Sequence, residues 1–184
     1  VNSILWEVFD METKKEQVSS RIVDEVMNEF TERFMLPDRV SHSTDMPWIP
    51  FFEGGGSWFK PLRFDLTTGL WIMLFKVDPN AKLSKHRHTG GSVTGYVVEG
   101  NWHYIEKDWK AKQGTLIFEP PGDIHTLYAD QETGMTTLFI ITGSIQFFED
   151  DNTIYREDDV FAIYKRYLDY CEANGIQPDD ELIY

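Results

Sequence analysis

The sequence predicts a mainly β fold: an antiparallel sandwich or barrel with one helix before it and one after it. Three observations carry this expectation. Between about 70 and 148, short apolar or alternating runs follow one another ("LWIMLFKV", "SVTGYVVE", "NWHYIE", "TLIFEP", "IHTLYA", "MTTLFIITGSIQFF"), punctuated by Gly, Asn, Pro and Asp. That is the spacing of strands joined by tight turns. Residues 14–35, "KKEQVSSRIVDEVMNEFTERFM", place Val18, Ile22, Val26 and Phe30 four apart, with Val23 and Met27 beside them. They form one apolar helical stripe opposite charged residues. Near the C-terminus, "DDVFAIYKRYLDYCEANG" aligns Phe161, Tyr164, Leu168 and Cys171 on a second stripe, with an Asp start and Gly175 at the stop.

The first helix ends at Pro37. From 36 to 69 the chain is rich in Pro and Gly, which suits loops and short edge strands. "EGGGS" reads as a turn, since the Lys-Ser/Thr of a phosphate loop does not follow it. Within "VVEGNWHY", Gly100-Asn101 occupies the place of a two-residue hairpin turn. The expected division is a helical extension over 1–45, a β-barrel over 46–150, and a C-terminal helix packed on it over 151–184.

Composition narrows the function. With 17 Lys and Arg against 31 Asp and Glu, the 184-residue chain has a net charge of −14, which argues against nucleic acid and anionic membranes as partners. A single cysteine, Cys171, excludes an internal disulfide and a thiolate-rich zinc cluster. No apolar run reaches the length of a membrane span, and no basic-then-apolar signal pattern opens the chain. A soluble, cytoplasmic protein is expected. The aromatic share of 15% is high, enough to line a core or a pocket.

Function is most legible around the histidines. His86 and His88 are one residue apart, so in a strand both imidazoles point to one face. His125 follows a Pro-Gly turn able to return a strand toward them. Three neutral imidazoles on a barrel wall make a facial metal site with open positions.

Two spaced patterns here resemble those of the cupin superfamily. In the first, His86, His88 and Gly100 fall on the cupin positions, while Asn80 stands for its first Gly and Val93 for its Glu. In the second, Gly114, Pro120, Gly122 and His125 all fit, and Ala129 replaces an Asn. The resemblance implies an RmlC-like jelly-roll barrel. A hydrogen-bonded core explains one histidine well, but three of five on two independent patterns favour a metal. His42 and His103 have no such case.

Val93 removes the usual carboxylate ligand. If Gly100-Asn101 is a two-residue hairpin turn, Glu106 lies opposite Gly95 on the inward face that Val93 shares. Such cross-strand neighbours are roughly 5–8 Å apart. Glu106 is therefore expected as a fourth ligand or a base, with Tyr104 beside it and Trp102 at the rim as substrate-contacting rings.

A longer set of runs ("MPWIP", "WFKPLRFD", "HRHTG", "EGNWHYIEKDW", "EPPGDIHTL" and the C-terminal helix) is similar to the family of 2,4'-dihydroxyacetophenone dioxygenase, over roughly 46–184. That resemblance implies a non-haem iron(II) enzyme, with His86, His88 and His125 on the metal and Glu106 nearby. It would use O2 to cleave an aryl α-hydroxyketone into a carboxylic acid and formate. Zn(2+), Mn(2+) and Ni(2+) are alternatives to Fe(2+), and a homodimer is expected by resemblance. The competing classes are a non-catalytic metal-binding or sensor cupin and a cupin isomerase. A full histidine triad speaks against a metal-free isomerase.

Overall fold

The computed structural model describes residues 25–184, and the chain divides into two units at Val40/Ser41. Of the first unit, helix α1 (Glu25–Phe34) is described. It ends before Pro37 as the sequence requires, with Phe30 and Phe34 stacked at 5.8 Å. Val18, Ile22 and Val23 lie outside the described residues. No described helix is long and apolar enough to cross a membrane.

The second unit is the expected antiparallel β structure. Its strands are β1 (Ile49–Phe52), β2 (Ser57–Asp65), β3 (Leu70–Val77), β4 (His86–Thr89), β5 (Val93–Tyr104), β6 (Ala111–Lys112), β7 (Leu116–Glu119), β8 (Ile124–His125), β9 (Leu127–Ala129), β10 (Met135–Thr142), β11 (Ser144–Phe148) and β12 (Ile154–Asp158). One sheet runs β1-β2-β3-β10-β5-β6, with β7 and β9 also pairing β5, and the other runs β12-β11-β4-β8. This unit is a mainly β jelly roll, with one described helix before it and one after its strands in chain order. Strands β3 and β10 alternate buried and less buried residues along their length, as strands with one face inward must. "EGGGS" is the turn between β1 and β2, with Gly54 and Gly56 at positive φ.

Two local expectations differ from the structure. Gly100-Asn101 is no hairpin: β5 runs through it for 12 residues. Upstream, β5 pairs β10 and β7; downstream, it pairs β6 and β9. A Cβ on Gly100, whose φ is +74°, would sit 2.1 Å from the Gly134 carbonyl oxygen, so only glycine permits this change of partner. A bulge against β10 around Val98 adds one residue and reverses the strand's inward phase. Val93, Gly95 and Val97 face in before it, and Trp102 and Tyr104 after it.

The second difference is in helix α2 (Val160–Asn174). Asp159 caps its start and Gly175, at φ 65°, its end. The buried stripe is Val160, Ile163, Tyr167 and Cys171, leaving Phe161 57% exposed. Phe64 decides this face: its ring meets Tyr164 at 5.1 Å and Tyr167 at 6.1 Å, and Leu182 is buried beyond them.

Candidate metal centre

Three histidines converge between the two sheets. In β4, His86 and His88 are two residues apart and both are buried. On the neighbouring strand β8, His125 is directly opposite His86 in the antiparallel register. The ring centroids are 4.6 Å apart for His86 and His125, 5.4 Å for His86 and His88, and 5.8 Å for His88 and His125. One nitrogen from each ring lies within 4.8 Å of the others. The Pro120–Gly122 turn carries His125 back to this edge, with Gly122 at φ 96° and its N–H donating to the His88 carbonyl. Asn80, in the place of a cupin glycine, takes a positive φ of 62°, which asparagine tolerates better than most residues.

The fourth chemical group is Glu119, at the end of β7 on the opposite sheet. It is 4% exposed. Its Oε2 lies 3.4 Å from His88 Nε2 and 3.5 Å from His125 Nε2. Tyr104 closes the same side, its ring stacked on His125 at 3.7 Å and 14°. Phe51, Met73, Phe75, Leu83, Phe139 and Ile141 complete the walls of a cavity of about 20 Å³, room for about one water-sized molecule.

The donor set fits a metal ion. His86 Nδ1 is 2.8 Å from the Ser84 carbonyl; the oxygen accepts the Nδ1 proton, leaving Nε2 as the free donor, a tautomer suited to ligation. Both Glu119 oxygens, His88 Nδ1 and both His125 nitrogens are buried without a hydrogen bond of ordinary geometry. Buried polar atoms normally find partners, so this many unpaired donor atoms at one point are a set that a bound cation would satisfy. Nearby, Asp123 Oδ2 stands 3.6 Å from His125 Nδ1 and is held by Lys107 at 2.7 Å.

Electrostatics agree. Burial pushes His88 down to about 3. It lowers His86 and His125 as well, His88 and His125 adding to the effect on His86. All three are therefore neutral donors at pH 7. Burial raises Glu119 to about 7, against a smaller opposing effect of the Tyr104 hydroxyl. Burial, and next the charge of Glu119, raises Tyr104 well above 10, so the phenol stays protonated.

Residues 37–146 match the family described as the ChrR cupin-like domain. The chain belongs to this cupin family. An RmlC-like cupin protein of Ralstonia eutropha JMP134 is 31% identical, over 79% of this chain and 94% of that one, with a TM-score of 0.73. A protein of unknown function with a cupin-like fold, from the same organism, is 26% identical over 74% and 86%, with a TM-score of 0.68. An acetylacetone dioxygenase of Acinetobacter johnsonii shares the fold at 17% identity, over 73% and 93%, with a TM-score of 0.65. No curated protein matches the sequence.

In this cupin the structure brings His86, His88 and His125 together, with Tyr104 beside them. Trp102 is buried behind Tyr104 at 5.1 Å, its Nε1 donating to Thr137 Oγ1 at 3.0 Å. Glu106 is not among them. Strand β5 stops at Tyr104, so Glu106 lies in the following turn, exposed, accepting the Thr126 N–H at 2.8 Å. Its charge reaches His125 and Tyr104 only at long range.

Glu119 was not visible as a site residue from spacing alone. It precedes two prolines and looks like part of a turn. Yet it pairs across the sheet with Val93, the residue standing where the cupin glutamate belongs. The carboxylate lost at one position returns from its cross-strand neighbour. A sequence signal existed: in "LIFE", Glu119 shares the inward phase of Ile117.

Proposed function

We propose that this cupin is an iron(II) dioxygenase that cleaves the C–C bond of an α-hydroxyketone, giving a carboxylic acid and formate. The observation that carries the proposal is the pairing of three neutral histidines with one buried, high-pKa carboxylate in an apolar cavity. His86, His88 and His125 would hold the ion through neutral donors, leaving its positive charge undiminished and positions open. When bound, iron(II) supplies Lewis-acid polarisation of a chelating ketone and a route for electrons to O2. The fold shared with the acetylacetone dioxygenase is consistent with that chemistry; manganese, zinc and nickel are the alternatives.

The chain's own residues contribute proton transfer, orientation and exclusion of water. Beside a divalent cation Glu119 ionises, and its position against His88 and His125 makes it the base for the hydroxyl-bearing carbon of a chelated substrate. Tyr104, kept protonated, fixes the His125 ring by stacking and offers a hydroxyl donor toward Glu119. The apolar walls keep water from the electron-rich substrate. Atoms balance: one O2 adds to the hydroxyketone, the bond between its two oxygenated carbons breaks, and each fragment keeps one new oxygen. The cavity is small, so short aliphatic hydroxyketones should outrun aryl ones, which require Phe51, Phe75 or Phe139 to rotate.

A second reading, metal binding without turnover, is favoured by the same small cavity and by the ChrR relationship of the family. The test is oxygen uptake and formate production by the iron-loaded chain with aliphatic and aryl hydroxyketones. One formate per O2 supports the dioxygenase. Iron bound at one per chain with no oxygen uptake on any substrate supports the second reading instead.

A further inference from the structure

An imidazole that holds an ion through one nitrogen keeps its proton on the other, and the partner of that second nitrogen decides how firmly the ring is aimed. The three rings of this site are supported unequally on that side. His86 Nδ1 donates to the Ser84 carbonyl at 2.8 Å. His88 Nδ1 is buried with no hydrogen-bond partner among the described residues. His125 Nδ1 is buried too and lies 3.6 Å from Asp123 Oδ2, while its Nε2 lies 3.5 Å from Glu119 Oε2. The two nitrogens of His125 therefore face different carboxylates, one in the cavity and one outside it.

Asp123 is fixed by the residues around it. It sits in the turn between β7 and β8, where the Gly122 N–H donates to the His88 carbonyl at 2.8 Å and Ile124 pairs with Arg87 of β4. Its side chain is 41% exposed, and Lys107 Nζ holds it at 2.7 Å. Lys107 belongs to the turn that follows β5, and that turn is tied to the residue after His125. The Ile105 N–H donates to the Thr126 carbonyl at 3.0 Å, and Glu106 Oε2 accepts the Thr126 N–H at 2.8 Å. Glu106, outside the cavity, thus helps to seat the lysine that seats Asp123.

From this arrangement we infer that Asp123 is a positioning residue of the metal centre, accepting the Nδ1 proton of His125 so that Nε2 points to the ion. Stacking on Tyr104 cannot do this by itself. At 3.7 Å and 14° it fixes the plane of the His125 ring, yet a half-turn flip keeps that plane and exchanges the nitrogen and carbon edges. Asp123 breaks the tie, because only one flip turns a nitrogen toward Asp123 and the other toward Glu119. With an ion on Nε2 the proton must sit on Nδ1, and a buried N–H left without an acceptor is costly. At 3.6 Å the pair stands just beyond hydrogen-bond range, so a small side-chain rotation closes it. The inference rests on the three-histidine metal site and not on the oxidative reaction proposed for it.

The test uses the full chain with isotopically nitrogen-labelled histidine, loaded with zinc. Proton–nitrogen NMR reads the rings, and competition with a chelator reads the zinc Kd. In the wild type, His125 should show a metal-bound Nε2 and an Nδ1 proton in slow exchange with water. Asp123→Ala should raise the zinc Kd about 10- to 100-fold and speed exchange of that proton about tenfold. The His86 Nδ1 proton, held by the Ser84 carbonyl, should stay as it was. Asp123→Asn keeps an acceptor oxygen and drops the charge, so it should restore slow exchange and most of the affinity. Equal zinc affinity and equal exchange in Asp123→Ala and wild type overturn the inference. So does a metal-bound Nδ1 on His125 in the wild type, a result that needs no variant to fold. Affinity lost in both variants with the Nδ1 proton unmoved assigns Asp123 a charge effect alone and overturns it as well. A wild type that takes up no zinc is a separate failure, since it removes the metal centre and with it the role of Asp123.

Discussion

Replacing Glu119 by Gln should abolish the proton released when the apo protein binds a metal. Without metal, burial holds Glu119 near 7, so at pH 6 the carboxyl is about nine-tenths protonated. A divalent ion beside it favours the charged form, and binding must then expel about 0.9 proton at pH 6 and about 0.1 at pH 8. Of the histidines, His88 lies near 3 and burial holds His86 well below its ordinary value, while His125 is lowered as well, so the carboxyl is the main source of the proton. Below pH 7, wild-type affinity should therefore fall about tenfold per pH unit, or about 1.4 kcal/mol. In Glu119→Gln it should be nearly flat from pH 6 to 8. Isothermal titration with zinc, a redox-inert probe, in two buffers of different ionisation enthalpy reads the proton count directly. Equal release by wild type and variant at pH 6 would refute the assignment of the proton to Glu119. Release of two or more would show that the histidines are charged in the folded protein.

Three further outcomes follow from the same geometry. Each of His86→Ala, His88→Ala and His125→Ala should lose most bound metal, measured by elemental analysis, and keep the wild-type circular dichroism; full metal content in any one removes that residue from the centre. Gly100→Ala should lower stability by about 3 kcal/mol or more, seen as a reduced urea midpoint, since its Cβ meets the Gly134 carbonyl at a positive φ. The metal-free protein should be most stable near neutral pH. The histidine contributions are present above 6.5 and lost as pH falls toward the lowered folded values. Glu119 acts oppositely, its contribution present below 4.5 and lost as pH rises to about 7. Three histidines outweigh one carboxylate, so a urea midpoint higher at pH 5 than at pH 7, in chelator-treated protein, would contradict this.

By itself, the sequence determined whatever depends on neighbours along the chain. Alternating runs set strands and their inward phase, and the one-residue gap between His86 and His88 set a shared face. The Pro120–Gly122 turn marked the return of His125, and Asp159 and Gly175 marked the ends of α2. Tertiary structure decided what depends on register between distant strands. Glu119 became the site's carboxylate only because β7 aligns it with Val93 on β5. Glu106 lies outside because β5 ends at Tyr104. Tyr104 faces inward through a bulge and a glycine passage, where a hairpin would have imposed the same phase. The inward face of α2 likewise follows from Phe64, about a hundred residues earlier in the chain. The physical reason is common to all four: spacing along one strand or helix fixes which side chains share a face, whereas pairing and packing between elements far apart in sequence fix what that face meets.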